Sequence, residues 1–328
     1  MLDNSSEELL DEVIYLPPKP HGLILDHNKI QYKNKQCMLP ACDASTVKCH
    51  VISKSSIRQY ARGNIANLNM VYRDPYFLIK PKDNWQYFKP LDLDKHPTFL
   101  GFCNTHDNDL FKELDHYNGN MTPRIALLAH YRVLCYGLNT IQLELKQHNF
   151  LKQASYVGGS TKLSKEIARK LQKGYYERRL KWAEDDYLYR KSLCEQAIFS
   201  ANEKAIINYV RLRGNVTNPL FFGRGGVFLH AYNKPQIEQQ KLPARFMSQM
   251  PYIMYFTICH NDKVDLYFSF LTLDKEQYAK DLDCFLDEND LSKRLEILIS
   301  AHSDCCILQK DCSPIWQDTI KQLIDFNR

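Results

Sequence analysis

Two short pairs of ligand-type residues, Cys37 with Cys42 and Cys103 with His106, constrain this chain more than any other feature. Four residues separate the first pair, Pro40 among them, and two separate the second. A pair this close must bend into a tight knuckle, and a proline suits such a turn. The chain holds eleven cysteines, an odd number that cannot all be paired. Its first twelve residues carry Asp3, Glu7, Glu8, Asp11 and Glu12 without a Lys or Arg, the reverse of a secretory leader. Thiols are therefore expected in place of disulfides. Zinc takes four nitrogen or sulfur ligands in a tetrahedron, and two such pairs brought together supply them. The expectation is a structural Zn2+ held by Cys37, Cys42, Cys103 and His106, with Cys49 and His50 as rival ligands. The alternative is two unrelated pairs in a cysteine-rich chain.

The remaining cysteines are scattered. Cys135, Cys194, Cys259 and Cys284 read as small core hydrophobes, and Cys305, Cys306 and Cys312 lack ligand spacing and read as buried thiols.

The predicted fold class is α+β: an N-terminal zinc module, a helical middle and a C-terminal domain with antiparallel strands. Residues 1–30 form an acidic leader ending in Leu16-Pro17-Pro18-Lys19-Pro20, which the prolines keep extended. Residues 31–120 carry the ligand pairs. Residues 121–215 are expected to be helical. Thr122-Pro123 is a cap with proline at the first helical position, and Ile125, Leu128, Tyr131, Leu134, Leu138 and Ile141 recur at helical steps. A second helix is predicted from about Leu163 to Ser200 and a third from Ala205 to Leu212. Residues 216–328 switch to strands at 226–232, 252–259 and 264–271, the last two joined by the hairpin signature His260-Asn261-Asp262-Lys263. Helices near 275–286 and 291–302, a short strand at 306–308 and a final helix opened by Ser313-Pro314 complete the pattern.

A composition of 44% hydrophobic and 25% charged residues in 328 positions is that of a globular chain and excludes a fibrous or disordered one. No apolar run reaches the ~18 residues a membrane span needs, so the expected setting is cytoplasmic, without a membrane partner. The net charge of +5 is uneven, because Asp3, Glu7, Glu8, Asp11, Glu12 and Asp26 face Lys19 alone in the first 26 residues. The body that follows is mildly basic, which permits a nucleic-acid partner without requiring one.

The order of features from residue 37 to 111 resembles a known family. A cysteine knuckle, a histidine (His50) eight residues after Cys42, and a ligand pair that opens a helix at Asn108-Asp109-Leu110-Phe111 are similar to the HNH, or ββα-metal, endonucleases with their treble-clef zinc site. The stretch Gly101-Phe102-Cys103 to His106-Asp107 also resembles HNH-like zinc-finger proteins of bacterial phage defence. The likeness spans residues ~31–115 and leaves the rest of the chain unexplained. It implies hydrolysis of DNA or RNA phosphodiesters, with His50 as the general base. Asp107 would help hold a second ion, Mg2+ or Mn2+, against the developing phosphorane charge. Two departures stand out: Cys49 replaces the acidic residue that normally precedes the base, and the family's middle Asn has no clear counterpart. In the other reading of the same residues, His50 is a structural histidine and the protein binds nucleic acid or a protein partner without cutting it.

Lys162–Lys191 is the most charged stretch, ten basic residues against five acidic. Lys170, Lys173, Arg178 and Arg179 are the candidate phosphate contacts, with Trp182, Tyr187 and Tyr189 available to stack on unpaired bases. A solvated helix laced with internal ion pairs is the competing explanation. Gly158-Gly159-Ser160-Thr161-Lys162 and Gly223-Arg224-Gly225-Gly226 lack phosphate-loop spacing and read as turns.

Overall fold

The structure, a computed structural model, describes residues 35–53, 57, 68–71, 88–90, 98–117, 119–157, 175–215, 221–227, 253–260, 263–276 and 305–309. The architecture is mixed helix and antiparallel sheet, in agreement with the α+β expectation.

Two sheets are present among the described residues. The smaller is a hairpin of β1 (Lys48–His50) and β4 (Thr98–Leu100), in register Lys48 to Leu100, Cys49 to Phe99 and His50 to Thr98. The larger has seven strands. Its members are β2 (Leu68–Val71), β3 (Phe88–Pro90), β5 (Ile207–Asn215), β6 (Phe221–Val227), β7 (Ile253–His260), β8 (Lys263–Leu271) and β9 (Cys305–Gln309). They lie in the order β3-β2-β9-β6-β7-β8-β5, each pair antiparallel. The predicted hairpin is β7–β8, whose register closes at His260 opposite Lys263. Strands β2 and β3 lie in the chain between β1 and β4; they pair with each other, and β2 pairs with β9 from the C-terminal part.

The helices are α1 (Asn104–Leu110), α2 (Lys112–Asp115), α3 (Pro123–Val157), α4 (Tyr175–Ser200) and the single turn α5 (Glu203–Ile206). Helix α3 starts where the sequence places it, with the Thr122 hydroxyl accepting the Ile125 N–H at 3.2 Å. Its periodic apolar residues suggest one buried face, yet every residue from Ile125 to Cys135 is buried. The cause is position: α3 touches β5, β6, β7 and β8, packs along α4 and also meets β4 and α2. A helix covered on all sides must bury its polar residues too, and His130, Arg132 and Asn139 are among them.

Polar side chains of this helix find partners on its neighbours. His130 Nδ1 sits 3.0 Å from the Ser269 hydroxyl, Tyr131 donates to Glu195 at 2.6 Å, and Gln142 donates to Glu184 at 3.0 Å. The last two cross the α3–α4 seam, placing polar contacts within an apolar interface, and the first ties α3 to β8. Gly137 makes the close approach possible: a Cβ there would lie 2.8 Å from the Tyr187 ring.

One predicted helix is a strand. Residues 205–212 are expected to be helical, but after the one turn of α5 the chain runs as β5, paired with β8 from Ile207–Leu271 to Asn215–Lys263. The local residues Ile206, Ile207, Tyr209 and Val210 are β-branched or aromatic, and the free edge of β8 decides the outcome. Gly223-Arg224-Gly225-Gly226, expected as a turn, lies inside β6, where β7 and β9 hold it on both sides. The second helix is seen from Tyr175, and its predicted beginning, residues 163–174, lies outside the described residues. So do the predicted helices at 291–302 and after Ser313, and nearly all of the one at 275–286.

Candidate metal centre

The segment before β1 folds back on itself. Cys37 N–H donates to Ala44 O at 3.0 Å, Thr46 N–H to Lys35 O at 2.9 Å, and Gln36 bridges Ser45. At the tip the Cys42 N–H reaches Leu39 O at 3.4 Å, and Ala41 takes φ 58°, the left-handed region that closes the knuckle. The folded knuckle then docks on the turn after β4, where Met38 N–H donates to Gly101 O at 2.7 Å and Val47 N–H to Phe102 O at 2.9 Å. That turn needs a glycine, because a Cβ on Gly101 would fall 2.2 Å from the Phe99 ring.

Cys103 is the N-cap of α1, with φ −75° and ψ 166°, and its carbonyl accepts the Asp107 N–H at 2.9 Å. His106 follows in the first turn of the same helix. Ligand atoms of Cys37, Cys42, Cys103 and His106 thus converge from the knuckle and the helix mouth, all within 4.8 Å of one another. His106 Nδ1 lies 3.5 Å from Cys37 Sγ and 3.3 Å from Cys103 Sγ, and Cys42 Sγ lies 4.0 Å from Cys103 Sγ. A tetrahedral zinc needs S···S of about 3.8 Å and S···N of about 3.5 Å, given Zn–S near 2.3 Å and Zn–N near 2.0 Å. The spacing fits, and the Cys3His donor set can hold a metal ion such as zinc.

Electrostatics favour thiolate at one corner. The backbone N–H groups of His106 and Thr105 hold the Cys103 thiol below its usual range, as a helix N-terminus does. Burial pushes the Cys37 thiol up. A bound cation needs thiolates, so loading releases protons and is opposed by acid.

The rival ligand Cys49 lies outside this group. Its Sγ accepts the Phe102 N–H at 3.3 Å and its thiol faces the carbonyl oxygens of Val47 and Phe102 at 3.5 Å. Burial, with the nearby Asp107 carboxylate, pushes this thiol up to about 12, so it stays protonated. His50, the residue matched to a general base, is half-buried at the end of β1 and also stands outside the four-ligand group. Strand alternation puts Cys49 and His50 on opposite faces.

Asp107 goes inward. Its Oδ1 is buried 3.9 Å from Arg132 Nη2 without a hydrogen-bond partner, and the Cys49 thiol is near enough to influence its charge. Burial raises the carboxyl's pKa and Arg132 opposes the rise. Arg132, 2% exposed, forks onto Asp115 through 2.7 and 3.1 Å bonds and lies 4.0 Å over the Phe111 ring. Arg132 and Asp115 escaped the sequence reading, since an arginine inside an apolar helical repeat carries no signal of its partner.

Of the phosphate-contact candidates, Arg178 is exposed on α4 and Arg179 lies on the same helix, while Lys170 and Lys173 fall outside the described residues. Two other cations of that stretch are buried: Arg190 pairs with Asp274 and with Asp186, and Lys191 with Glu195. Trp182 and Tyr189 are 48% and 57% exposed, whereas Tyr187 is core. No helix among the described residues is long and apolar enough to cross a membrane. A scan against protein-family models, a search of curated proteins and a search of solved structures each return no match for the chain.

Proposed function

We propose that residues 37–110 form a treble-clef zinc module of HNH-like type and that it serves as the structural centre of a nucleic-acid-binding protein. What supports the module is the order of parts: knuckle, β1–β4 hairpin, then α1 with ligands at its mouth. Zn2+, when bound, would tie the knuckle to the helix; Cys37, Cys42, Cys103 and His106 would hold it.

One observation favours binding over cutting. Asp107, the carboxylate that would hold Mg2+ or Mn2+, faces the Arg132 guanidinium and a protonated Cys49. A divalent cation entering there would meet a fixed positive charge and a poor hard-ion ligand. The surface with nucleic-acid character is on α4, where exposed Arg178, Trp182 and Tyr189 combine a cation with rings that can stack on unpaired bases.

Hydrolysis by an HNH-like site is the second reading, carried by the placement of His50 on β1 opposite Thr98, the family's position for the base. One experiment separates the two. Purified protein is assayed for elemental zinc, for cleavage of single- and double-stranded DNA and RNA with Mg2+ or Mn2+, and for binding of the same oligonucleotides at two salt concentrations. Stoichiometric zinc with salt-sensitive binding and no cleavage is expected. Cleavage that disappears in His50→Ala, with zinc retained, would establish the second reading instead.

A further inference from the structure

The metal centre lies at a crossing point of the chain. Strands β1 and β4 are three residues each and antiparallel. Between them the chain makes an excursion, residues 51–97, that supplies β2 and β3 to the far edge of the seven-stranded sheet. There β2 pairs with β9 in register Leu68–Gln309 to Val71–Cys306, and β9 pairs with β6. A three-residue hairpin is marginal by itself. What closes the base of this excursion is the junction of the knuckle with Gly101, Phe102 and the α1 mouth, the same residues that carry the ligand pairs.

A second route runs through side chains. Helix α1 presents His106 to the metal group and the adjacent Asp107 to Arg132 of α3. Phe102, next to Cys103, packs edge-on against Phe111 at 5.1 Å and lies 5.9 Å from Tyr131 of α3. The opposite side of α3 rests on the sheet, with His130 against Ser269 of β8. Both routes lead from the four ligands into the same sheet.

We infer that metal occupancy at Cys37, Cys42, Cys103 and His106 controls the order of the sheet edge β3-β2-β9 and the seating of α3, so that the cation acts as a switch on the whole fold. This rests on the metal-binding part of the proposed function. Without the cation, three thiols and a ring no longer bind the knuckle to α1, the loop-closure constraint on the excursion is released, and β9 loses the partner that covers its edge. Availability of a soft divalent cation would then set the fraction of chains with a complete sheet.

The test is hydrogen exchange on the full chain before and after stepwise zinc removal by a chelator, with zinc content measured at each step. Protection in β2, β3 and β9 is expected to fall by at least about tenfold with the same midpoint as zinc release. Protection lost only in 36–53 and 98–111, with the sheet unchanged at zero zinc, overturns the inference. Thiol labelling mapped by mass gives an independent readout: Cys135, buried on α3 away from the ligands, should become reactive along with Cys37, Cys42 and Cys103. Labelling confined to those three likewise overturns it. Failure of the underlying metal reading looks different, since the purified protein would then contain no zinc to remove.

Discussion

The metal group and helix α4 were read from equally suggestive residues, and the structure treats them differently. At the metal group, two pairs chosen by spacing meet as donors within 4.8 Å of one another. On α4, a run of cations chosen by charge splits: Arg178 is exposed, while Arg190 and Lys191 are buried in ion pairs. The difference is one of range. The spacing within each ligand pair is set by a few residues and a turn, so the sequence shows it. The meeting of the two pairs, 61 to 69 residues apart, is made by the docking of knuckle on helix mouth. Whether a cation meets solvent depends on which helix face the rest of the molecule covers, and a charge count contains nothing about that.

Substitutions at the two regions should differ accordingly. Replacing a ligand tests the metal group most severely: Cys103→Ala is expected to abolish stoichiometric zinc and with it roughly 10–16 kcal/mol of metal-linked folding energy. Elemental analysis and circular dichroism would show it, and a Cys103→Ala protein that retains zinc and fold would remove the metal group from the comparison. Next comes Arg190→Ala, which leaves the Asp274 carboxylate, 3% exposed, without its partner. A loss of about 3–5 kcal/mol in urea unfolding is expected. A change below about 1 kcal/mol would mean that the α4 cations are all equivalent surface charges.

The same helical layer predicts a pH effect. Burial, reinforced by the Arg190 charge, pushes His130 down to about 3. A group whose folded pKa lies below its unfolded value is neutral in the core, so its contribution is complete above pH ~6.5 and is lost as pH falls toward 3. At pH 5 the cost is about 2 kcal/mol relative to pH 8. Zinc release also follows acid, so the measurement compares the parent with His130→Asn. The Asn protein should lack this part of the slope, and parallel curves would show that the imidazole does not titrate with unfolding.

Two smaller effects sharpen the contrast. Ala41 holds φ 58° at the knuckle, a conformation costing about 1 kcal/mol in a residue with a Cβ. Ala41→Gly is expected to slow zinc transfer to a chelator by up to roughly tenfold, and unchanged kinetics would argue that the knuckle is not strained. At the mild end stands Arg178→Ala. Thermal stability should shift by less than about 0.5 kcal/mol, whereas oligonucleotide affinity should fall evenly across sequences and the salt slope should drop by about 1. A stability loss comparable to that of Arg190→Ala would place Arg178 among the structural cations.

What could be read from the residues alone follows the same division. Cys37, Cys42, Cys103 and His106 needed only spacing, and Thr122-Pro123 marked the start of α3 because a cap and a fixed φ act within one turn. The β7–β8 hairpin was legible for a similar reason, its turn residues lying between two alternating apolar runs. Residues 207–215 were not. Their local pattern tolerates a helix, and the nine-residue ladder with β8, many positions further along, makes them a strand. The inward course of Asp107 toward Arg132, the burial of α3 on every side from Ile125 to Cys135 and the insertion of β2 beside β9 also belong to the tertiary structure. Each depends on contacts between residues distant in sequence, and such contacts are decided by how the completed layers pack, with no trace in the local order of side chains.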